Sequence, residues 1–250
     1  MAQPATVDKV VLITGAARRI GAQIARTLHA RGMKLVIHYN ASAEEARALQ
    51  RDLEQSRGNS VSLVQADLLA GVTVLHDLVE QATRAFGRID VLINNASTFY
   101  PTPLTEAAED DWERLVGTNL KAPFFLAQAA ATQLQETRGC IVNIADIYGE
   151  RPLKRYPIYS IAKAGVIMLT QSLARELGPD VRVNAVAPGA ILWPESGLDE
   201  ALKERIIART ALKRMGTPDD IARTVLFLID DASYITGQLI PVDGGRGIVQ

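Results

Sequence analysis

Seven short runs of apolar, largely β-branched residues punctuate the chain, with longer segments of helical period between most of them. This alternation constrains the fold more than any other feature. The runs are Val10–Thr14, Leu35–His38, Val61–Gln65, Val91–Asn94, Cys140–Ile144, Val181–Ala187 and Leu239–Val242. They are apolar almost throughout, as strands covered on both faces must be. Between them lie Ile20–Arg31, Ala43–Ser56, Val72–Phe86, Trp112–Gln135 and Tyr159–Leu177. In the first of these, Ile24 and Leu28 sit four apart on one helical face. The pattern predicts a single doubly wound α/β domain: a parallel sheet of about seven strands, right-handed crossovers and helices on both faces. No Gly/Ser/Pro linker divides the chain, so residues 1–250 read as one domain.

A chain of 250 residues folding this way buries roughly 70–75% of the surface its unfolded form exposes, and needs no disulfide or metal staple. Cys140, the only cysteine, opens an apolar run and reads as a small buried hydrophobe. A formal net charge of -1 gives no field to recruit nucleic acid or an anionic membrane. The N-terminus lacks the basic-then-apolar pattern of a secretion signal, and no stretch approaches the ~18 apolar residues of a membrane span. A cytoplasmic protein is the expectation. His29, His38 and His76 are scattered without partners at metal-ligand spacing, and no metal is assigned.

The first strand runs into Thr14-Gly15-Ala16-Ala17-Arg18-Arg19-Ile20-Gly21 and then a helix. A small-residue turn there aims backbone N–H groups, and the positive end of the helix dipole, at an anion. The arginines sharpen this reading. Two cations against that dipole cost ~0.3–1 kcal/mol each at exposed sites, and a bound phosphate reverses the sign. The second strand ends His38-Tyr39-Asn40-Ala41-Ser42, with no acid before Glu44 to bond a ribose 2′-hydroxyl. Neutral donors with Arg19 suit a 2′-phosphate, so NADPH (NADP when oxidised) is the predicted cofactor. Two loops carrying prolines and aromatics, Ser97–Thr105 and Ala190–Asp199, follow the carboxyl ends of strands and are the candidate substrate-shaping elements.

Tyr159 and Lys163 stand one turn apart on a helical face. A phenol titrates near pH 10, and a cation within ~4–6 Å can lower that by about 1–3 units, making it a usable general acid.

Thr14–Gly21, Asn94-Asn95-Ala96, Asn119, Tyr159 with Lys163, and Pro188-Gly189 fall in the order seen in short-chain dehydrogenases/reductases, and the chain resembles that family over essentially its whole length. The resemblance implies a Rossmann-type fold and a set of roles. Gly15, Arg19, Ile20, Asn40, Ser42, Asp67, Leu68, Asn95, Ala96, Ser97, Pro188, Gly189 and Ile191 would hold the cofactor, with Asp67 at adenine and Pro188-Gly189 bordering nicotinamide. Asn119 would hold a water in a proton relay through Lys163, which also holds ribose. A homotetramer is expected.

Two departures narrow the resemblance. Most members have glycine where this chain has Arg19, and serine thirteen residues before the tyrosine, where this chain has Asp146. Both replacements, the loop Asn94–Leu104 and His38-Tyr39 resemble pteridine reductases. The expectation is then a pteridine reductase using a dihydropterin or dihydrofolate-like substrate. Reducing C=N requires a proton on a ring nitrogen, and burial can keep the Asp146 carboxyl protonated beside Tyr159. Phe99 would stack the pterin against nicotinamide, with Arg19, Ser97 and Trp193 also at the substrate. Alternatives stay open. Asp146 could cap a turn or pair with Arg151 or Lys154, Phe99 and Tyr100 could be packing aromatics, and Trp193 could only cover the pocket. The tail Gly244–Gln250 offers no clear substrate contact. The rival functions are a carbonyl reductase such as a 3-oxoacyl-thioester reductase, and a non-catalytic NADPH sensor.

Overall fold

The computed structural model describes residues 8–193, 197 and 199–248. Part of the predicted loop Ala190–Asp199, namely residues 194–196 and 198, lies outside these, as do 249 and 250 of the tail. The strands are β1 (Val10–Ile13), β2 (Lys34–Tyr39), β3 (Val61–Gln65), β4 (Val91–Asn94), β5 (Cys140–Ile144), β6 (Arg182–Pro188) and β7 (Leu239–Val242). They form one 7-stranded sheet in the order β3-β2-β1-β4-β5-β6-β7. Every pairing is parallel.

Eight helices were assigned among the described residues: α1 (Arg19–Ala30), α2 (Ala43–Ser56), α3 (Val72–Phe86), α4 (Glu109–Val116), α5 (Ala122–Thr137), α6 (Pro157–Leu177), α7 (Glu200–Ala208) and α8 (Pro218–Asp230). The last two strands, β6 and β7, are joined through α7 and α8, which are not among the segments predicted above. The strand period of two sorts the core into layers. Val11 and Ile13 of β1 pack with Ile24 and Leu28 of α1 and Val225 and Leu228 of α8. Val10 and Leu12 face the other way, onto Leu75 and Leu78 of α3 and Leu126 and Ala130 of α5. The doubly wound arrangement is as the alternation predicts, and the strand boundaries agree to within a residue or two.

One predicted segment is not continuous. Trp112–Gln135 is broken by a π-type turn over Gly117–Lys121, between α4 and α5. Such turns are rare and concentrate at functional sites. The strand order reverses direction between β1 and β4, so the carboxyl ends of these strands open the crevice where ligands bind in sheets of this kind.

Candidate active site

The turn leaving β1 is fastened from both sides. Thr14 Oγ1 accepts from the N–H groups of Asn95 and Ala96, both at 3.0 Å. The Asn95 side-chain amide donates back to Thr14 O at 2.8 Å and Gly15 O at 2.9 Å. Gly15 adopts φ +60, and a Cβ there would meet Ala96 Cα at 2.9 Å; one on Gly21 would lie 2.5 Å from Asn95 Nδ2. These contacts require glycine and hold the turn close to β4. No side chain caps the N-terminus of α1 and its first turn holds no acid, which leaves it receptive to an anion.

The two arginines diverge. Arg18 forms an ion pair with Glu45, in the first turn of α2, at 3.8 Å. Arg19 takes a left-handed φ of 55, the conformation for which glycine is usual, and its guanidinium donates to Trp193 O at 3.2 Å. Arg19 therefore reaches toward the β6 loop and Arg18 toward α2 and the end of β2. His38, expected among the donors at the end of β2, is instead buried within the fold. Its Nδ1 accepts from Gly15 N–H at 3.1 Å and its Nε2 meets Ala66 O at 3.0 Å, which fixes the neutral tautomer with hydrogen on Nε2. Burial lowers its pKa in agreement. Tyr39 is buried too, so Asn40 and Ser42 remain the outward polar residues of that stretch. Asp67 bonds the N–H of Leu69 at 3.0 Å and is exposed, whereas Leu68 is buried.

The polar centre lies where β5 meets α6. Tyr156 stands at the α6 N-cap and Pro157 at the first turn, where proline's missing N–H costs nothing. One turn further in, Tyr159 and Lys163 are both buried on the face toward β5. Tyr159 Oη donates to Asp146 Oδ2 at 2.8 Å. The other oxygen, Oδ1, accepts from Tyr148 N–H at 2.9 Å and so caps the short 3₁₀ turn Ile147–Gly149. Asp146 thus caps a turn and faces the phenol at once; neither Arg151 nor Lys154 is its partner. Lys163 Nζ donates to Ile144 O at 2.9 Å and sits 5.6 Å from the Tyr159 ring centroid.

Burial raises the Asp146 pKa, opposed by the Tyr148 N–H bond, Lys163, the Tyr159 hydroxyl and Arg246. Burial also lowers Lys163 to about 8, with Asp146 opposing. Tyr159 departs from the sequence expectation. Burial first, then the adjoining carboxylate, lifts its phenol well above its ordinary value rather than letting the ammonium lower it. Within the Asp146–Tyr159 pair, the carboxyl is the member whose shift runs toward neutrality.

Loop residues close over this centre. Phe99 stacks on Tyr156 (centroids 4.6 Å apart, planes at 11°) and meets Tyr159 edge-on at 4.8 Å. It therefore packs within the loop and also touches the phenol ring edge-on. Ser97 Oγ donates to Asn119 Oδ1 at 2.6 Å, while Asn119 Nδ2 donates to Thr98 O at 3.0 Å and to Leu115 O at 2.9 Å. The Asn119 side chain is used to bind the β4 loop to the π-type turn. On the far side, Pro188-Gly189 ends β6; a Cβ on Gly189 would come within 2.6 Å of Asp243 Cα. Ile191 is buried beside it.

Three residues at the site were not read from the sequence. Tyr148 and Tyr156 flank the Asp146–Tyr159 pair, and a signal existed in the aromatic spacing around Asp146. Arg246 has none: it comes from the tail, and its guanidinium donates to Tyr148 Oη at 3.2 Å. Among the described residues no cluster of three metal-ligating side chains occurs, and no helix is long and apolar enough to cross a membrane.

A family model described as enoyl-(acyl carrier protein) reductase matches residues 15–246. The 3-oxoacyl-[acyl-carrier-protein] reductase FabG of Staphylococcus epidermidis is 37% identical over 243 residues, covering 96% of this chain and 99% of that protein. Pteridine reductase 1 of Leishmania tarentolae is 35% identical over 281 aligned positions, covering 96% and 97%. The (2S)-[(R)-hydroxy(phenyl)methyl]succinyl-CoA dehydrogenase subunit BbsD of Thauera aromatica is 39% identical over 247, again covering 96% and 97%.

Proposed function

Because the chain belongs to the short-chain dehydrogenase/reductase family, we propose that it is an NADPH-dependent pteridine reductase acting on a dihydropterin or dihydrofolate-like substrate. The observation that carries this reading is the 2.8 Å bond between Tyr159 Oη and Asp146 Oδ2. Hydride reduction of a C=N bond leaves a ring nitrogen in need of a proton. A buried carboxyl with a raised pKa is the group suited to deliver it.

Bound NADPH would supply the hydride. The chain's residues would do the rest. The uncapped start of α1 and Arg18 suit the phosphates, Asn40 and Ser42 the ribose end, and Asp67 and Leu68 the adenine. Asn95, Ala96 and Ser97 line the crevice at β4, with Pro188, Gly189 and Ile191 across it. Arg19, held toward Trp193, suits the space between phosphate and substrate. Asp146 in its acid form gives its proton to the ring nitrogen; the carboxylate left behind keeps the hydrogen bond from Tyr159 and regains its proton from solvent. Lys163, buried one turn from Tyr159, holds ribose. Phe99, edge-on to Tyr159, would cover the exposed face of the pterin.

The second reading is a 3-oxoacyl-thioester reductase. Whole-chain similarity favours it, since relatives bearing that name match at 37% against 35% for the pteridine reductase. The local departures at Arg19 and Asp146 favour the pterin. Steady-state reduction of dihydrobiopterin, dihydromonapterin, dihydrofolate and acetoacetyl-coenzyme A with NADPH separates the two. Turnover of the thioester alone would end the pterin reading. Asp146→Ser should lower pterin turnover by about 10²–10⁴ while cofactor affinity holds; equal loss of both would remove Asp146 from the chemistry. NADPH oxidation that disappears in Tyr159→Phe would exclude a non-catalytic sensor.

A further inference from the structure

Beyond β7, the described residues 243–248 form a folded turn. Both oxygens of Asp243 are engaged by backbone, accepting from the N–H groups of Gly245 and Gly247. Gly244 O accepts from Leu212 N–H at 3.0 Å, tying the turn to the segment after α7. Gly244 and Gly245 take φ values of 63 and 78, which the turn needs. The turn lies against the end of β6, because Gly189 abuts Asp243. It therefore stands beside the crevice that Pro188-Gly189 borders.

From this turn Arg246 projects, half-buried, to Tyr148, its guanidinium carbon 6.0 Å from the ring centroid. Tyr148 in turn follows Asp146, to which its N–H is bonded. The fork of five N–H donors makes one hydrogen bond among the described residues, that to Tyr148 Oη. The acid nearest in sequence, Asp243, is spent on its own backbone, and no carboxylate of the described residues forms an ion pair with Arg246. Among the described residues this cation thus has no ion-pair partner, and it stands at the rim of the reacting pair, where its charge also opposes the rise in the Asp146 pKa. Holding Tyr148 alone would not require a charge.

We infer that Arg246 is a specificity-determining residue that takes an anionic substituent of the substrate, a carboxylate or a phosphate, remote from the bond that is reduced. This rests on the reading that Asp146 and Tyr159 mark the reacting bond. A charged fork already fixed in place binds such a group by paired, charge-assisted hydrogen bonds.

The test compares kcat/KM with NADPH for dihydrofolate (carboxylates), dihydroneopterin monophosphate (phosphate) and dihydrobiopterin (neutral). If thioesters prove to be the substrates, acetoacetyl-coenzyme A and ethyl acetoacetate form the same pair. Arg246→Met should reduce kcat/KM for one of the anionic substrates about ten- to hundredfold more than for the neutral one. Arg246→Lys should recover part of the difference. In the unaltered protein, KM for that anionic substrate should rise with salt more steeply than KM for the neutral one. Equal losses on charged and neutral substrates, or equal salt dependence, would overturn the inference and leave the reductase reading standing. Turnover of neither set would bring down both.

Discussion

At the scale of single residues, the site is organised by groups whose charge state burial controls. Asp146 is needed in its acid form, and its pKa is raised. Pterin reduction should therefore fall as pH rises through that raised value, the direction expected when a general acid loses its proton. A pH–rate profile that stays flat above the ordinary carboxyl value of 3.8 would deny Asp146 the role of donor. His38 titrates with a separate consequence. Its folded pKa lies below the ordinary 6.5, so the unfolded chain takes up the proton more readily. This contribution to stability is complete above about pH 6.5 and is lost as pH falls from there toward the folded value. His38→Phe should remove that pH dependence and leave the Gly15 N–H unpaired, costing roughly 1–3 kcal/mol, measurable by urea denaturation at several pH values. Arg19 shows the opposite priority: a side chain kept at a left-handed φ of 55, where the backbone would favour glycine, in keeping with strain held at a functional turn.

At the scale of elements, helices are fastened to the sheet by buried polar groups that periodicity does not announce. Asn94 of β4 donates to Asn143 of β5 at 2.8 Å, Asn143 donates to Thr170 of α6 at 2.9 Å, and Thr170 donates to Val166 O at 2.8 Å. This chain sets how α6 lies on the sheet, and so where Tyr159 and Lys163 fall. At the other edge Arg182, first in β6, reaches the carboxyl end of α8. It donates to Leu228 O at 2.7 Å, Ala232 O at 2.9 Å and Ile229 O at 3.2 Å. A cation on the last carbonyls of a helix satisfies orphaned acceptors and opposes the dipole. Arg182→Met should cost about 1.5–3 kcal/mol in thermal unfolding, and Arg182→Lys should recover less than half, because a compact ammonium lacks the extended fork whose two nitrogens divide the three carbonyls between them.

At the scale of the whole molecule, the sheet brings the ends of β1, β4, β5 and β6 to one crevice, while the opposite concern is what covers the outer helices. Ile161 and Met168, seven residues apart on α6, are 52% and 61% exposed, and Phe124 on α5 is 43% exposed. Apolar side chains left on neighbouring helices are suited to burial against another copy of the chain. We expect a homotetramer, as the family resemblance implies, with this surface in one of its interfaces. Light scattering should give four times the chain mass, and Ile161→Glu with Met168→Glu should give a smaller species. A monomeric unaltered protein would refute the expectation.

The fold class was legible in the sequence because strands covered on both faces must be apolar throughout, and helices between them must carry one apolar stripe. That is a local rule, and seven strands met it. Tyr159 with Lys163 was legible for the same reason, since a spacing of four fixes a shared helical face. Other features needed the folded chain. The break between α4 and α5 depends on Asn119 reaching Thr98 and Leu115, and the inward turn of His38 depends on Gly15 and Ala66. The raised phenol of Tyr159 depends first on burial and then on a carboxyl group thirteen residues earlier, and Arg246 reaches Tyr148 across ninety-eight residues of sequence. Periodicity reports which face of an element is buried; it carries no information about which polar groups from distant elements meet once that face is covered. Desolvation and pairing across elements set the chemistry of this site, and they exist only after the sheet has closed.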